Sequence, residues 1–185
     1  MINDYKYDCR IYVLVTSYDP LKIYLFHNGL VRFTTQKYTA SKKFLKKRFI
    51  HLTNYSVQKK APNYVKNTGD EEEEEDETAS KWDLYSLKNK WREMGINVED
   101  VFSKVKDLII KTILSVESTL ASNYNRAQKN RGVCFEVYGF DVLFDKDMRP
   151  WLLEVNILPS FSSSSPLDKK VKSMLMSDIF HLIGL

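Results

Sequence analysis

Two carboxylates and an amide in the stretch GFDVLFDKDMRPWLLEVN, residues 139–156, have a spacing that suits metal binding. If the two halves pair as a hairpin closed around residues 147–148, Asp141 lies opposite Glu154. Side chains alternate along a strand, which puts Glu154 and Asn156 on one face. Opposed carboxylates repel, and a divalent cation removes that conflict. Asp141, Glu154 and Asn156 therefore form an all-oxygen set that Mg²⁺ accepts, with phosphates and waters completing its shell.

An alternative is that both acids simply face solvent at the edge of a sheet. Pattern alone favours that alternative. The neighbouring residues Phe140, Val142, Leu152 and Leu153 are apolar, and they favour an interior sheet instead.

A second charged set lies where the first strand is expected to begin. Lys6, Asp8, Arg10 and Tyr12 occupy alternate positions and so share one face. Arg32 is a lone charge among apolar residues in LVRF. Such cations suit a bound triphosphate or carboxylate through charge-assisted contacts, although an exposed strand face with cross-strand ion pairs stays possible. The segment HLTNYS, residues 51–56, adds imidazole, amide and hydroxyl groups.

The elements that must position these residues are strands in the first half of the chain. An apolar, β-branched run covers residues 9–17. Residues 22–26 and 30–35 flank His27-Asn28-Gly29, and an Asn-Gly step between such runs predicts a hairpin. Two further strands are expected at 134–144 and 151–156. Cys9 and Cys134 are both interpreted as small buried hydrophobic residues rather than as a disulfide or a catalytic thiol.

Helices follow in the second half. Residues 82–94 can form one that ends at Gly95, and Asn97 can cap a longer one. The apolar residues of this longer helix recur at helical spacing and are interpreted as core: Val98, Val101, Phe102, Val105, Leu108, Ile109, Thr112, Ile113, Val116 and Leu120. Ser165-Pro166-Leu167-Asp168 has a cap serine, proline at N1 and an acid at N3, so it opens a last helix. The predicted class is α+β, with an antiparallel sheet and packed helices.

Charge is strongly segregated along the chain. The sequence has 28 basic and 24 acidic side chains, and eight of the acids lie in residues 70–77. We interpret residues 67–80 as an acidic disordered loop within one domain. The remainder, with basic runs such as KKFLKKR at 42–48, is basic enough to attract a polyanion. Charge alone favours equally the alternative of an ordinary basic surface without such a partner.

The polyanion could be nucleic acid, an anionic membrane or an acidic protein tail. The aromatic-plus-basic motif of a nucleic-acid-binding domain is not found. No apolar run approaches membrane-spanning length, and the first residues lack the apolar segment of a signal peptide. We therefore expect a soluble intracellular protein with neither nucleic acid nor a membrane as its partner.

Several stretches together resemble the tubulin tyrosine ligase-like family, whose catalytic domain has the ATP-grasp fold. The resemblance covers nearly the whole chain outside the acidic loop, in family order: KYDCRIYVLVTSYDPLKIYLF, GLVRF, HLTNYSVQKK, YGFDVLFDKDMRPWLLEVN and SSSPLD. The NYSVQKK and SSSPLD forms look like the glutamylase branch. The resemblance implies that residues 1–185 are the C-terminal part of that catalytic domain, with the N-terminal ATP-grasp region missing.

The resemblance also implies a role for each matching residue. Asp141, Glu154 and Asn156 would bind Mg²⁺, and Lys6, Asp8, Thr53 and Asn54 would contact ATP. Glu154, Arg10 and Arg32 would be the catalytic residues, with Arg10 facing phosphate or substrate. The positions that would hold the incoming glutamate are Arg32, Tyr55, Ser56 and Lys81.

The implied reaction is ATP-dependent addition of free L-glutamate to glutamate side chains of tubulin C-terminal tails, through an acyl-phosphate. The partners would be the acidic tails of tubulin or microtubules, which KKFLKKR could steer. The implied location is the cytoplasm and cytoskeleton, including a cilium or basal body. Two alternatives stay open: an inactive fragment that binds microtubules through its basic surface, and a ligase of this family that transfers glycine or tyrosine.

Overall fold

A computed structural model describes residues 1–66, 80–127 and 134–184. Within these ranges the strands are Tyr7–Tyr18 (β1), Leu21–Phe33 (β2), Lys81–Asp83 (β3), Glu136–Phe144 (β4) and Pro150–Ile157 (β5). The helices are Arg48–His51 (α1), Tyr55–Gln58 (α2), Leu84–Glu93 (α3), Val98–Ala127 (α4) and Pro166–Ile183 (α5), and a 3-10 turn covers Lys42–Phe44.

The strands of the described residues form one antiparallel sheet in the order β3-β2-β1-β4-β5. The α+β class, with an antiparallel sheet and packed helices, is thereby confirmed. β1 lies in the middle, where it pairs with β2 on one side and β4 on the other. The apolar run predicted as the first strand is consequently the most enclosed part of the sheet.

Each face of the sheet carries its own apolar core because the side chains of β1 alternate. Cys9, Ile11 and Val13 join a large cluster with α3 and α4. Tyr12 and Leu14 point to the opposite face, where they pack with buried residues of α5. These β1 residues are all nearly inaccessible to solvent, so residues on one strand face are separated from those on the other by a filled core.

The predicted hairpin at His27-Asn28-Gly29 is wrong, because residues 21–33 form one continuous strand. The turn between β1 and β2 lies instead at Asp19-Pro20. Ile11 pairs with Gly29 and Val13 pairs with Leu25. One residue of β1 therefore lies between these pairs, whereas three residues of β2 do. The Asn-Gly step therefore belongs to a bulge rather than to a turn.

A tertiary contact explains why Asn28 does not form a turn. Its buried side chain accepts hydrogen bonds from the backbone N–H groups of Gly29 (2.8 Å) and Leu84 (3.0 Å). Its amide group donates to Asp83 at 3.1 Å. Asp83 in turn caps α3 by accepting from the backbone N–H of Ser86. The bulge thus ties β2 to the beginning of α3.

The strand predicted at residues 151–156 is present as β5, but the interior position that its apolar residues favoured is wrong. β5 is the edge of the sheet beyond β4. Leu152 and Leu153 are 37% and 51% exposed, although their apolar type favoured burial. Cys134, predicted as buried, is exposed because β4 begins two residues later, whereas Cys9 is fully buried as expected.

The predicted caps begin α4 and α5 correctly, but the helix predicted at 82–94 begins only at Leu84, because Trp82 and Asp83 belong to β3. The side chain of Asn97 accepts from the backbone N–H of Asp100 at the beginning of α4. Ser165 accepts from the backbone N–H of Asp168, with Pro166 in the first turn of α5. The core stripe of α4 holds for Val98 through Ile113, but Val116 is 49% exposed, so α4 extends past the sheet that covers its first half.

The predicted acidic loop at 67–80 lies outside the described residues except for Ser80. None of the helices in the described ranges is both long enough and apolar enough to cross a membrane.

The bulge at Gly29 generates a stability prediction. A Cβ atom at this position would lie 2.5 Å from the backbone oxygen of Arg10 and 2.9 Å from Cδ1 of Leu84. Because the first contact is with backbone of the central strand, we expect Gly29→Ala to lower the free energy of unfolding by about 1–3 kcal/mol. Denaturant unfolding measures the loss. Gly95→Asn is the control, since Gly95 has open space and a left-handed φ that Asn tolerates; equal losses in both variants would contradict the argument.

Candidate functional site

A row of charged side chains crosses the sheet on the face that α5 covers. Strand pairing generates it, since Lys81 pairs with Arg32, Arg32 with Asp8, Arg10 with Asp141, and Asp141 with Glu154. We call the members of this set the charged row: Lys81, Arg32, Asp8, Arg10, Asp141, Glu154 and Asn156. The predicted register of Asp141 opposite Glu154 is confirmed. All five strands contribute to the row.

Asp141 is the centre of the charged row. One of its oxygens accepts from Nε of Arg10 at 2.5 Å, and the other accepts from Nη2 of Arg10 at 3.0 Å. Nη2 of Arg32 approaches the second oxygen to 2.8 Å. Arg32 also makes a two-point contact with Asp8. Both carboxylates are nearly inaccessible to solvent, and both arginines are largely buried. The cross-strand ion pairs named as the alternative are therefore present, but they are buried rather than exposed.

The ion pairs keep the Asp141 carboxylate charged. Burial by itself would raise the pKa of Asp141, but hydrogen bonds and charge from Arg10 and Arg32 outweigh it, so the pKa lies below its ordinary value. A glycine makes this geometry possible. A Cβ atom on Gly139 would lie 3.0 Å from Cδ of Arg10 and 3.0 Å from Cβ of Pro159. The absence of a side chain at residue 139 therefore leaves room for the Arg10 side chain in its present position; a larger residue there would force Arg10 or Pro159 to shift.

The Glu154 carboxylate is different, because it is exposed and lacks a cationic partner among the described residues. Its Oε1 accepts from the amide group of Asn156 at 3.1 Å, and the same amide group donates to the backbone oxygen of Gly139 at 3.3 Å. The carbonyl oxygen of Asn156 remains for another ligand. In the row and its surroundings the cations Arg10, Arg32 and Lys81 oppose three buried aspartates. Lys172 also interacts electrostatically with Asp168, Lys81 and Arg10, so Glu154 is notable for its unpaired charge rather than for a net excess of negative charge.

This donor set fits a Mg²⁺ ion. A carboxylate has about four lone-pair positions, and the arginines use three of those on Asp141. The remaining position, the Glu154 carboxylate and the Asn156 carbonyl are oxygen donors on one face of the sheet. The unpaired negative charge of Glu154 would suit a cation. No group of three or more His, Cys, Asp and Glu side chains in the described ranges is arranged so that it could hold a metal ion by itself. A cation at this set would therefore need the Asn156 amide oxygen and oxygens from a substrate as further ligands.

Lys81 ends the row at β3, and its ammonium group is enclosed. It donates to both carboxylate oxygens of Asp168 at 2.9 and 3.2 Å and to the hydroxyl of Ser164 at 3.0 Å. The ring of Tyr55 lies 4.2 Å from the same nitrogen. Burial alone would raise the pKa of Asp168, but Ser164 and Lys81 lower it below the ordinary value. The structure thus brings Tyr55, Lys81 and Arg32 to one end of the row.

The residues predicted to contact ATP are not shown to form one group. The Lys6 ammonium donates to the backbone oxygen of His51 at 2.8 Å, which joins the beginning of β1 to the HLTNYS segment. Thr53 is buried and Asn54 is exposed. Asp8 belongs to the row itself and is engaged by Arg32 instead of facing solvent.

Ser56 is placed differently from the other predicted glutamate contacts. It is exposed and lines a separate cavity of about 490 Å³ with Lys46, Lys47, Arg48 and Lys60. Because Tyr55 and Ser56 are consecutive on the single turn of α2, they point to different surroundings. The structure therefore does not place Ser56 with Lys81.

Sequence reasoning missed two residues that position the site. Asp168 was interpreted only as an acid in the first turn of α5, and its pairing with Lys81 spans 87 residues of sequence. Gln58 is almost completely buried; its side-chain oxygen accepts from the backbone N–H (2.9 Å) and hydroxyl (2.7 Å) of Thr35, and its amide group donates to the Leu52 backbone oxygen. The only signal for either residue was its place in the SSSPLD or NYSVQKK block.

Known proteins match the chain along its whole length. A curated relative, tubulin polyglutamylase TTLL5 of Mus musculus, is 46% identical over 184 residues, which are 100% of this chain and 14% of the relative. Tubulin monoglutamylase TTLL4 of Mus musculus is 45% identical over 187 residues, 100% of this chain and 15% of the relative. Tubulin polyglutamylase ttll6 of Danio rerio is 41% identical over 189 residues, 100% of this chain and 23% of the relative.

The chain therefore spans less than a quarter of the length of these relatives. The model of the tubulin-tyrosine ligase family matches residues 1–184, which is all but the last residue. This chain belongs to the tubulin-tyrosine ligase family.

Proposed function

We propose that the chain carries part of the active site of an ATP-dependent ligase that adds glutamate to glutamate side chains of tubulin C-terminal tails. The observation that carries this proposal is the charged row, in which carboxylate and amide oxygens of β4 and β5 lie at one end, two buried arginines in the middle and an enclosed lysine at the other end. The names of the relatives support glutamate as the transferred amino acid and tubulin as the acceptor. The protein would then act at microtubules, in the cytoplasm, a cilium or a basal body.

The reaction has two steps that balance without a side-chain nucleophile. A tail carboxylate attacks the γ-phosphorus of ATP, which forms an acyl-phosphate and releases ADP. The amino group of free glutamate then attacks the acyl carbon, forms the isopeptide bond and releases phosphate and a proton. Activation is needed because a free carboxylate is a poor electrophile.

The residues of the chain would bind and orient the reactants. Arg10 and Arg32 are held in place by buried aspartates, so their charge can stabilise phosphoryl oxygens without reorganisation. Asp141, Glu154 and Asn156 would hold Mg²⁺, which supplies charge neutralisation at the phosphates. Lys6, Thr53 and Asn54 would contact the nucleotide, and Arg32, Tyr55 and Lys81 would orient the incoming glutamate.

The Glu154 carboxylate gives the most direct test of the cation site. Glu154→Gln keeps the shape of the side chain but removes the negative charge of its carboxylate. We expect kcat to fall at least about a hundredfold. The melting temperature should stay within error because Glu154 is exposed. Glu99→Gln, an exposed substitution on α4, is the matched control and should keep full activity.

The assay is mass spectrometry of tubulin tails incubated with ATP and glutamate, glycine or tyrosine, with tail affinity measured alongside. We expect the mass increment of glutamyl residues alone and unchanged tail affinity in Glu154→Gln. Full turnover in that variant, or a wild-type protein that binds tails but transfers nothing, would reject the ligase.

The enclosed lysine gives a second test, of amino-acid binding. Lys81→Met leaves Asp168 charged and buried, which costs about 3–5 kcal/mol of stability, so the variant is paired with Lys81→Met/Asp168→Asn. We expect the double variant to regain part of that stability, yet to show a KM for free glutamate raised about tenfold or more, since a charged contact is lost. Steady-state kinetics at saturating ATP and tail measure it. An unchanged KM in the double variant would show that Lys81 only supports the fold.

A further inference from the structure

The segment between β2 and β3 contains an acid-free basic region. Residues 37–66 include nine lysines and arginines and no aspartate or glutamate. Four of the nine converge on the cavity of about 490 Å³, namely Lys46, Lys47, Arg48 and Lys60. Lys42 and Lys43 belong to the same KKFLKKR run but do not line it. The fold therefore selects some of the cations and gathers them around one depression.

The cations of this cavity are not paired with carboxylates of the residues that the structure describes. Among the described residues, none of the four forms an ion pair with a carboxylate, although Lys47 lies over the ring of Phe44 at 4.8 Å. All four are exposed. Like charges held close together raise the local positive potential, which attracts an anionic partner.

The rest of the lining suits a peptide with carboxylate side chains. Ser56 and Gln36 offer a hydroxyl and an amide group for hydrogen bonds, and Arg48 can grip a carboxylate at two points. Phe49 and Val57 are only half-exposed, so they offer contact to short methylene stems. A nucleic acid would instead favour an exposed aromatic ring on which a base can stack.

The cavity also adjoins the charged row. Tyr55 and Ser56 are neighbours on α2, and the Tyr55 ring lies against Lys81 while Ser56 lines the cavity. The cavity and the end of the row at which the incoming glutamate would bind therefore lie on two sides of the same helix, α2.

We infer that this cavity docks the acidic acceptor peptide, by pairing its glutamate side chains with Lys46, Lys47, Arg48 and Lys60. The inference rests on the proposed function, which it deepens by assigning the tail a place separate from the charged row. Docking in the cavity differs from a general electrostatic attraction of the peptide to the basic surface. In the first case only the cations that line the cavity should contribute to peptide affinity.

A pair of double variants separates these two cases. Lys46→Glu/Lys60→Glu reverses two cations of the cavity, and Lys42→Glu/Lys43→Glu reverses two cations of the same basic region outside it. The net charge changes equally, and all four side chains are exposed, so neither variant should unfold. Fluorescence anisotropy of the full-length protein with a labelled glutamate-rich peptide gives Kd, and a peptide with glutamine in place of glutamate is the ligand control.

We expect the cavity variant to bind the peptide about tenfold more weakly and with a shallower dependence on salt, while the control variant stays close to wild type. The KM values for ATP and free glutamate should stay unchanged in both, because these lysines lie outside the charged row. In turnover assays the cavity variant should show a raised KM for the tail at unchanged kcat.

Three results would overturn the inference: equal losses in both double variants, peptide affinity unchanged in the cavity variant, or a cavity variant that loses binding to a double-stranded oligonucleotide while keeping its affinity for the peptide. The proposed function fails in a different way. If wild-type protein binds the peptide with the expected difference between variants but transfers no glutamate, the cavity is supported as a peptide site and the ligase is rejected.

Discussion

The carboxylate of Asp141, shared by Arg10 and Arg32, is the interaction on which the site depends. It joins β4, β1 and β2 through charged groups that are almost removed from water. A buried charge is tolerated only when it is paired and hydrogen-bonded, so each member of this group requires the others. The arginines are consequently held rigidly, and their direction is decided before any substrate binds.

The same strand face changes character along β1, and α5 covers both parts. Asp8 and Arg10 belong to the polar part, whereas Tyr12 and Leu14 belong to the apolar core under α5. The first turn of α5 lies at the boundary, where Asp168 pairs with Lys81. Packing of an amphipathic helix therefore determines where the lysine of β3 is held, and the apolar core stabilises the charged row indirectly.

The short helix α2 separates two surroundings that differ in chemistry. On the side of Tyr55 the groups are enclosed and paired, as suits a small reactant that must be oriented. On the side of Ser56 the cations are exposed and unpaired by the described carboxylates, as suits a flexible acidic peptide. Gln58, buried at the end of the same turn, fastens α2 to β2 and to the segment after α1, so both surroundings keep a defined relation to the sheet.

The sequence by itself determined the features that depend on local spacing. Strand alternation and a hairpin centre predicted the pairing of Asp141 with Glu154, although in the structure a bulge between Asp141 and Val142 sets that register. Cap residues were enough to begin α4 and α5 correctly. Only the tertiary structure decided the rest. Asn28 accepts a hydrogen bond from the backbone N–H of Leu84 at the beginning of α3 instead of forming a turn. β5 is an edge strand despite its apolar residues, and Lys81 pairs with Asp168, which lies 87 residues away in the sequence. The reason is that local periodicity states which face a side chain occupies, whereas which distant element covers that face depends on how the whole chain packs.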